Sequence, residues 1–163
     1  MLDSLTIKNF RALADFSVAK LGRVNLIVGK NNSGKSSVLE ALRIYAGNGQ
    51  RELLNSISAE HDERYRVRES ERPEPDAPMP FQDFFTGRNF PTDDDTAIEI
   101  GSAFKPDDVV HVQHIFLAEE REPVVDEVGE TNIRVRRRIV PKNQLQSEAG
   151  ELRQALQITK GER

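Results

Sequence analysis

Apolar positions in the first thirty residues recur with a period of two. Leu5 and Ile7 alternate with polar neighbours, as do Phe16 and Val18, which predicts two half-exposed strands. Val24-Asn25-Leu26-Ile27-Val28 is almost continuously apolar and ends at Gly29, which predicts a third strand covered on both faces. From Ser36 to Ala46 the period lengthens to that of a helix, with Val38, Leu39, Leu42 and Tyr45 on one stripe and Gly47 and Gly49 as the stop. Residues 96–140 return to alternation, in Ile98 and Ile100, in Val109 to Leu117, and in Ile133, Val135 and Ile139. Turns at Lys105-Pro106-Asp107-Asp108 and Gly129-Glu130 separate these runs, so an antiparallel meander is predicted. Leu145, Ala149, Leu152 and Leu156, spaced by four, three and four residues, predict a closing helix over 144–159.

Composition changes the picture between residues 60 and 80, where eleven charged residues and four prolines leave almost nothing apolar to pack. That stretch reads as a linker or insertion. Phe81, Phe84 and Phe85 then supply an aromatic patch that returns the chain to a core, and Asp93-Asp94-Asp95 reads as a solvated turn. With 163 residues, 37% hydrophobic and 31% charged, there is room for one modest core. The longest apolar run, Ile115 to Ala118, has four residues, and no apolar leader follows Met1, so no membrane span or secretion signal is predicted and a cytoplasmic protein is expected. Absence of cysteine excludes disulfides and thiolate chemistry. A net charge of −4 gives no overall attraction to nucleic acid.

The strongest chemical signal is Gly29-Lys30-Asn31-Asn32-Ser33-Gly34-Lys35-Ser36-Ser37, which fits G-x-x-x-x-G-K-[ST] between a predicted strand and a predicted helix. Such a loop wraps phosphates while the helix N-terminus offers N–H groups and its positive dipole end. Gly29 and Gly34 permit backbone torsions and close approach, so that N–H groups from Asn32 to Ser37 face the α and β phosphates. Lys35 offers an ammonium to the β and γ phosphates, the Ser36 hydroxyl suits Mg²⁺, and Ser37 caps or contacts the α phosphate. The plain structural alternative is a glycine turn capped by Ser36.

The segment Leu5-Thr6-Ile7-Lys8-Asn9-Phe10-Arg11, the hairpin leading to Val28, and Gly29 through Leu42 together resemble ABC-type ATPase heads of the SMC and RecF class. The likeness is nearest to the ATPase lobe of OLD-family nucleases and related AAA-type ATP-binding proteins, and Phe84-Phe85-Thr86-Gly87-Arg88 extends it more loosely. The resemblance implies an α/β P-loop NTPase fold, an ABC-type N-terminal lobe with a largely antiparallel sheet around the Walker A strand and helix. It also implies ATP and Mg²⁺ as ligands, a homodimer of heads in a full-length protein, and service in DNA processing or phage defence. In that class the Asn-Phe-Arg element lies beside the nucleotide, so Phe10 and Arg11 are expected to help hold base or phosphates; a surface salt bridge is the alternative for Arg11.

The signature helix, the strand ending in Asp-Glu and the switch histidine of that class have no credible counterpart in this sequence. The chain therefore reads as a partial head that hydrolyses ATP only with further elements and a second head. One rival is a self-contained NTPase using Glu119 or Glu120, after Ile115-Phe116-Leu117-Ala118, with Val124-Val125-Asp126-Glu127 a poorer acidic strand. Another is a non-catalytic interaction module. His111 and His114 sit on opposite faces of a predicted strand and do not suit a shared metal. Arg134, Arg136, Arg137 and Arg138, with Lys142 nearby, form a basic run that reads as a solvated strand first and a DNA contact second.

Overall fold

In this computed structural model residues 2–61, 81–125, 131–148 and 151–161 are described. Alternation becomes burial on one face of an antiparallel sheet. Strands β1 (Leu5–Phe10) and β2 (Leu13–Val18) form a hairpin, followed by helices α1 (Lys35–Ala46) and α2 (Arg51–Glu60) and strands β3 (Ile98–Gly101), β4 (Val109–Val125), β5 (Thr131–Val140) and β6 (Leu152–Lys160). The strand order is β2-β1-β3-β4-β5, with β6 also paired to β4. Ala118 of β4 pairs with Arg138 on one side and Leu152 on the other, so β5 and β6 occupy opposite edges of β4. The predicted meander is present, with a short 3₁₀ turn at Pro106–Asp108.

One sheet face carries Leu5, Ile7, Ile98, Ile100, Val110 and Val112, which pack with Val38, Ala41 and Ile44 of α1 and Leu54 and Ile57 of α2. The other face is polar, with Lys8 and Glu99 opposite one another and ion-paired at 2.9 Å. The buried side of α1 differs from the predicted stripe: Leu39 is 62% exposed. At 100° per residue Leu39 lies across the helix from the Ala41–Ile44 side that meets the sheet.

Two predicted elements are corrected. The predicted helix over 144–159 is not found among the described residues: Lys142–Ser147 is a 3₁₀ segment and Leu152–Lys160 is a strand. Leu152 and Leu156, four residues apart, share a strand face as readily as a helical stripe, and the second edge of β4 offers nine paired positions. The run Val24 to Val28 is irregular rather than a buried strand, with Val24 90%, Leu26 86% and Val28 78% exposed. Nothing among the described residues pairs with it, and an apolar strand without neighbours on both sides has no ladder to join.

The aromatic patch docks as predicted. Phe84 and Phe85 are each 1% exposed, Phe10 pairs with Phe85 in an isolated bridge, and the Phe84 ring lies 6.0 Å from Phe10. The acidic triplet does more than solvate a turn: Asp93 accepts from the Thr96 backbone and hydroxyl, while the Asp94 carboxylate accepts from the Lys142 backbone. The charged, proline-rich stretch lies almost wholly outside the described residues, as do the Gly129-Glu130 turn and Asp126 and Glu127.

Candidate functional site

The β1–β2 hairpin, the start of α1, the end of α2 and the loop around residues 83–88 meet at a cleft of about 960 Å³. Its walls carry Asn31, Asn32, Gly34, Lys35, Ser36 and Ser37 on one side and Arg11, Glu40 and His61 on another. Gly34 precedes α1 with φ 86°, and a Cβ there would stand 2.9 Å from Leu13 Cδ2, so both torsion and space call for glycine. The first backbone bond returning from α1 is Val38 N–H to Gly34 O. The N–H groups of Lys35, Ser36 and Ser37 therefore precede the helical ladder and bring its positive end to the cleft. Lys35 Nζ donates to Gly29 O at 2.9 Å and to Lys30 O at 2.6 Å, folding the ammonium into its own loop.

Arg11 sits in the two-residue turn between paired Phe10 and Leu13, in left-handed backbone at φ 51°. Its N–H donates to Phe84 O at 2.8 Å, and its guanidinium carbon stands 5.1 Å from the Phe84 ring centroid. Nε is 2.6 Å from Glu40 Oε2, with the side chains 13% and 8% exposed. This is an ion pair by distance, although its angles miss hydrogen-bond alignment. The other Glu40 oxygen lies 2.8 Å from His61 Nε2. The surface salt bridge weighed for Arg11 is thus a buried pair on the wall of the cleft.

The AAA ATPase domain family matches this sequence over residues 1–159. The chain belongs to that family. As an AAA ATPase domain it is an ATP-binding unit, and its fold is the α/β P-loop type of SMC- and RecF-like ABC-type heads. An uncharacterized protein of Methanocaldococcus jannaschii is 47% identical over 45 residues, covering 28% of this chain and 20% of that protein. A Helicobacter pylori ATP/GTP phosphatase is 35% identical over 57 residues, 35% of this chain and 15% of the relative. The DNA double-strand break repair Rad50 ATPase of Archaeoglobus fulgidus is 46% identical over 44 residues, 27% of this chain and 5% of the relative. The chain spans at most a fifth of the length of these curated relatives in the matched region. No solved structure matches it.

Within this AAA ATPase domain the predicted loop residues divide. Asn31, Asn32, Gly34, Lys35, Ser36 and Ser37 line the cleft with Arg11, whereas Gly29 and Lys30 act through the carbonyls that hold Lys35, and Ser33 closes the turn by donating to Lys30 O at 3.3 Å. Glu119 and Glu120 do not line the cleft; they lie on the β4–β5 ribbon, 3.1 Å from Arg137 and 2.7 Å from Arg138. Those pairs, with Arg136–Glu122 and Arg138–Glu148, spend much of the basic run on neighbouring carboxylates. His114 is 3% exposed and stacks 3.9 Å from Phe90, while His111 points to the other sheet face.

Sequence reasoning missed Glu40, His61, Asp83 and Arg88 as cleft residues. Glu40 had a readable signal, since it stands four residues after Ser36 on one helix face. His61, twenty-one residues from Glu40, had none. Among the described residues there is no cluster of three or more His, Asp or Glu side chains suited to a metal, and no helix is long and apolar enough to cross a membrane.

Proposed function

We propose that the cleft binds the polyphosphate of MgATP. The observation that carries this reading is the convergence of the ladder-free first turn of α1, the Lys35 ammonium and Arg11 on one concavity of about 960 Å³. The exposed Ser36 hydroxyl, in the first turn of α1, fits a magnesium ion that takes its remaining ligands from phosphate and water. When bound, that ion supplies charge neutralisation at the phosphates. The chain's own groups do the rest: N–H groups of residues 35–37 face the anion, Lys35 exchanges its loop carbonyls for phosphate oxygens, and Arg11 approaches from the hairpin.

In this reading the chain works in the cytoplasm as the ATP-binding lobe of a larger SMC-, RecF- or OLD-like ATPase. Hydrolysis requires catalytic elements supplied by further sequence and by a second head in a homodimer, and the assembled enzyme serves DNA processing or phage defence. Among the described residues the cleft takes no acidic side chain from β4, in keeping with a dependence on further elements. Titration calorimetry with MgATP together with a phosphate-release assay tests the proposal. Saturable one-to-one binding with no turnover is expected; no binding overturns the nucleotide site, and turnover abolished by Glu119→Gln or Glu120→Gln overturns the dependence on further elements.

A further inference from the structure

We propose that Glu40 and His61 are positioning residues that hold the Arg11 guanidinium at the wall of the nucleotide cleft, an inference that rests on the nucleotide reading above. Glu40 is the only charged side chain on the buried side of α1, where its neighbours are Ser37, Val38, Ala41 and Ile44. A carboxylate there costs desolvation that an aliphatic residue would not, and it is kept in place by charged or hydrogen-bonding partners. Its two oxygens are divided between two such partners, Arg11 Nε at 2.6 Å and His61 Nε2 at 2.8 Å. All three side chains line the same cleft as Lys35 and Ser36.

Arg11 is restrained from four directions. The hairpin sets its backbone at φ 51°, Phe84 O takes its N–H, the Phe84 ring underlies the guanidinium, and Glu40 fixes Nε. A long side chain held this way surrenders its rotamer freedom on folding rather than on meeting an anion, which is how preorganisation strengthens binding. Among these restraints the carboxylate, 2.6 Å from Nε, is the one that supplies the opposite charge holding the guanidinium at the cleft wall. His61, at the C-terminal end of α2 and 41% exposed in its side chain, steadies the second oxygen and thereby the first.

The two competing roles for Glu40 predict different results. A carboxylate that merely fastens α1 to the hairpin changes stability, while one that only neutralises Arg11 weakens phosphate attraction and its removal tightens binding. Calorimetric titration of the full chain with MgATP separates them, with thermal melts to confirm folding. Glu40→Gln is expected to raise Kd about tenfold, the size of one charge-assisted contact, and Arg11→Ala at least as much. In the double variant Arg11→Ala/Glu40→Gln the second change is expected to add nothing, because Glu40 acts only through Arg11. His61→Gln, on the exposed rim and harmless to folding, is expected to raise Kd about threefold. If Glu40→Gln does not fold, His61→Gln with and without Arg11 carries the same cycle. Tighter binding by Glu40→Gln, or an equal loss with and without Arg11, overturns the inference. Wild-type binding that Lys35→Ala weakens while Glu40→Gln and His61→Gln change nothing overturns it alone; no wild-type binding overturns the nucleotide reading and the inference together.

Discussion

Replacing Lys35 by alanine tests the loop at its most exposed commitment. The ammonium has two loop acceptors, Gly29 O and Lys30 O, so nucleotide binding is an exchange and not a simple gain. A unit charge pair at 4 Å in a surface environment of effective dielectric about 20 is worth about 4 kcal/mol. Leaving two carbonyls at the rim of the loop returns about 1 kcal/mol for each bond. The difference, about 2 kcal/mol, predicts that Lys35→Ala raises the Kd for MgATP roughly thirtyfold. Alanine is the better helix former at this first position of α1, so the melting temperature should stay within about 3 °C of wild type. Calorimetry with MgATP, and in parallel with adenosine, supplies the contrast, because adenosine carries no phosphate for the ammonium to meet. A change below about threefold for MgATP, or an equal loss for adenosine, refutes the exchange argument.

Further outcomes follow from other parts of the site. Gly34→Ala forces a Cβ into left-handed backbone at φ 86°, against Leu13 Cδ2, at a cost of about 1–2 kcal/mol; scanning calorimetry should show a fall of about 3–8 °C, and an unchanged midpoint rejects the strained loop. Phe84→Ala empties a site that is 1% exposed between Phe10, Phe81 and Arg11, so urea unfolding should lose about 3–5 kcal/mol, and a loss below about 1 kcal/mol contradicts the packing. For His114, burial holds the imidazole below its ordinary 6.5, outweighing the opposing hydrogen bond that it donates to Gln154, and nearby Lys142 pushes the same way as burial. The unfolded chain therefore binds the proton first, and this contribution is full above about pH 6.5 and is lost as pH falls through the lower folded value. His114→Gln should flatten the drop in urea midpoint between pH 7 and pH 5, and an identical drop in both proteins would rule out His114 as its source.

The parts of the fold legible in sequence are those fixed by local chemistry. Leu5 and Ile7 need only a period of two, and the loop from Gly29 to Ser37 needs only its glycines and the helix that follows. Leu152 and Leu156 misled because a spacing of four satisfies two periods at once, and the unfilled edge of β4 decided between them. Helix α2 escaped notice because Leu54 and Ile57 are its only fully buried apolar positions in ten residues. The pairing of Arg11, Glu40 and His61 could not be read at all, because it depends on the hairpin, α1 and α2 reaching one place. The phosphate loop announced itself; Glu40 could be placed beside it by helical spacing, but its partners could not.

The bare aliphatic run from Val24 to Val28 also governs how the protein behaves as a solute. An irregular segment of this kind, unpaired among the described residues and rich in β-branched and leucine side chains, presents to solvent the residue types that favour strand pairing. Because the run ends directly at Gly29, concentration-dependent self-association through it is expected to lower the nucleotide-binding capacity of the phosphate loop, which light scattering and MgATP titration over a dilution series check.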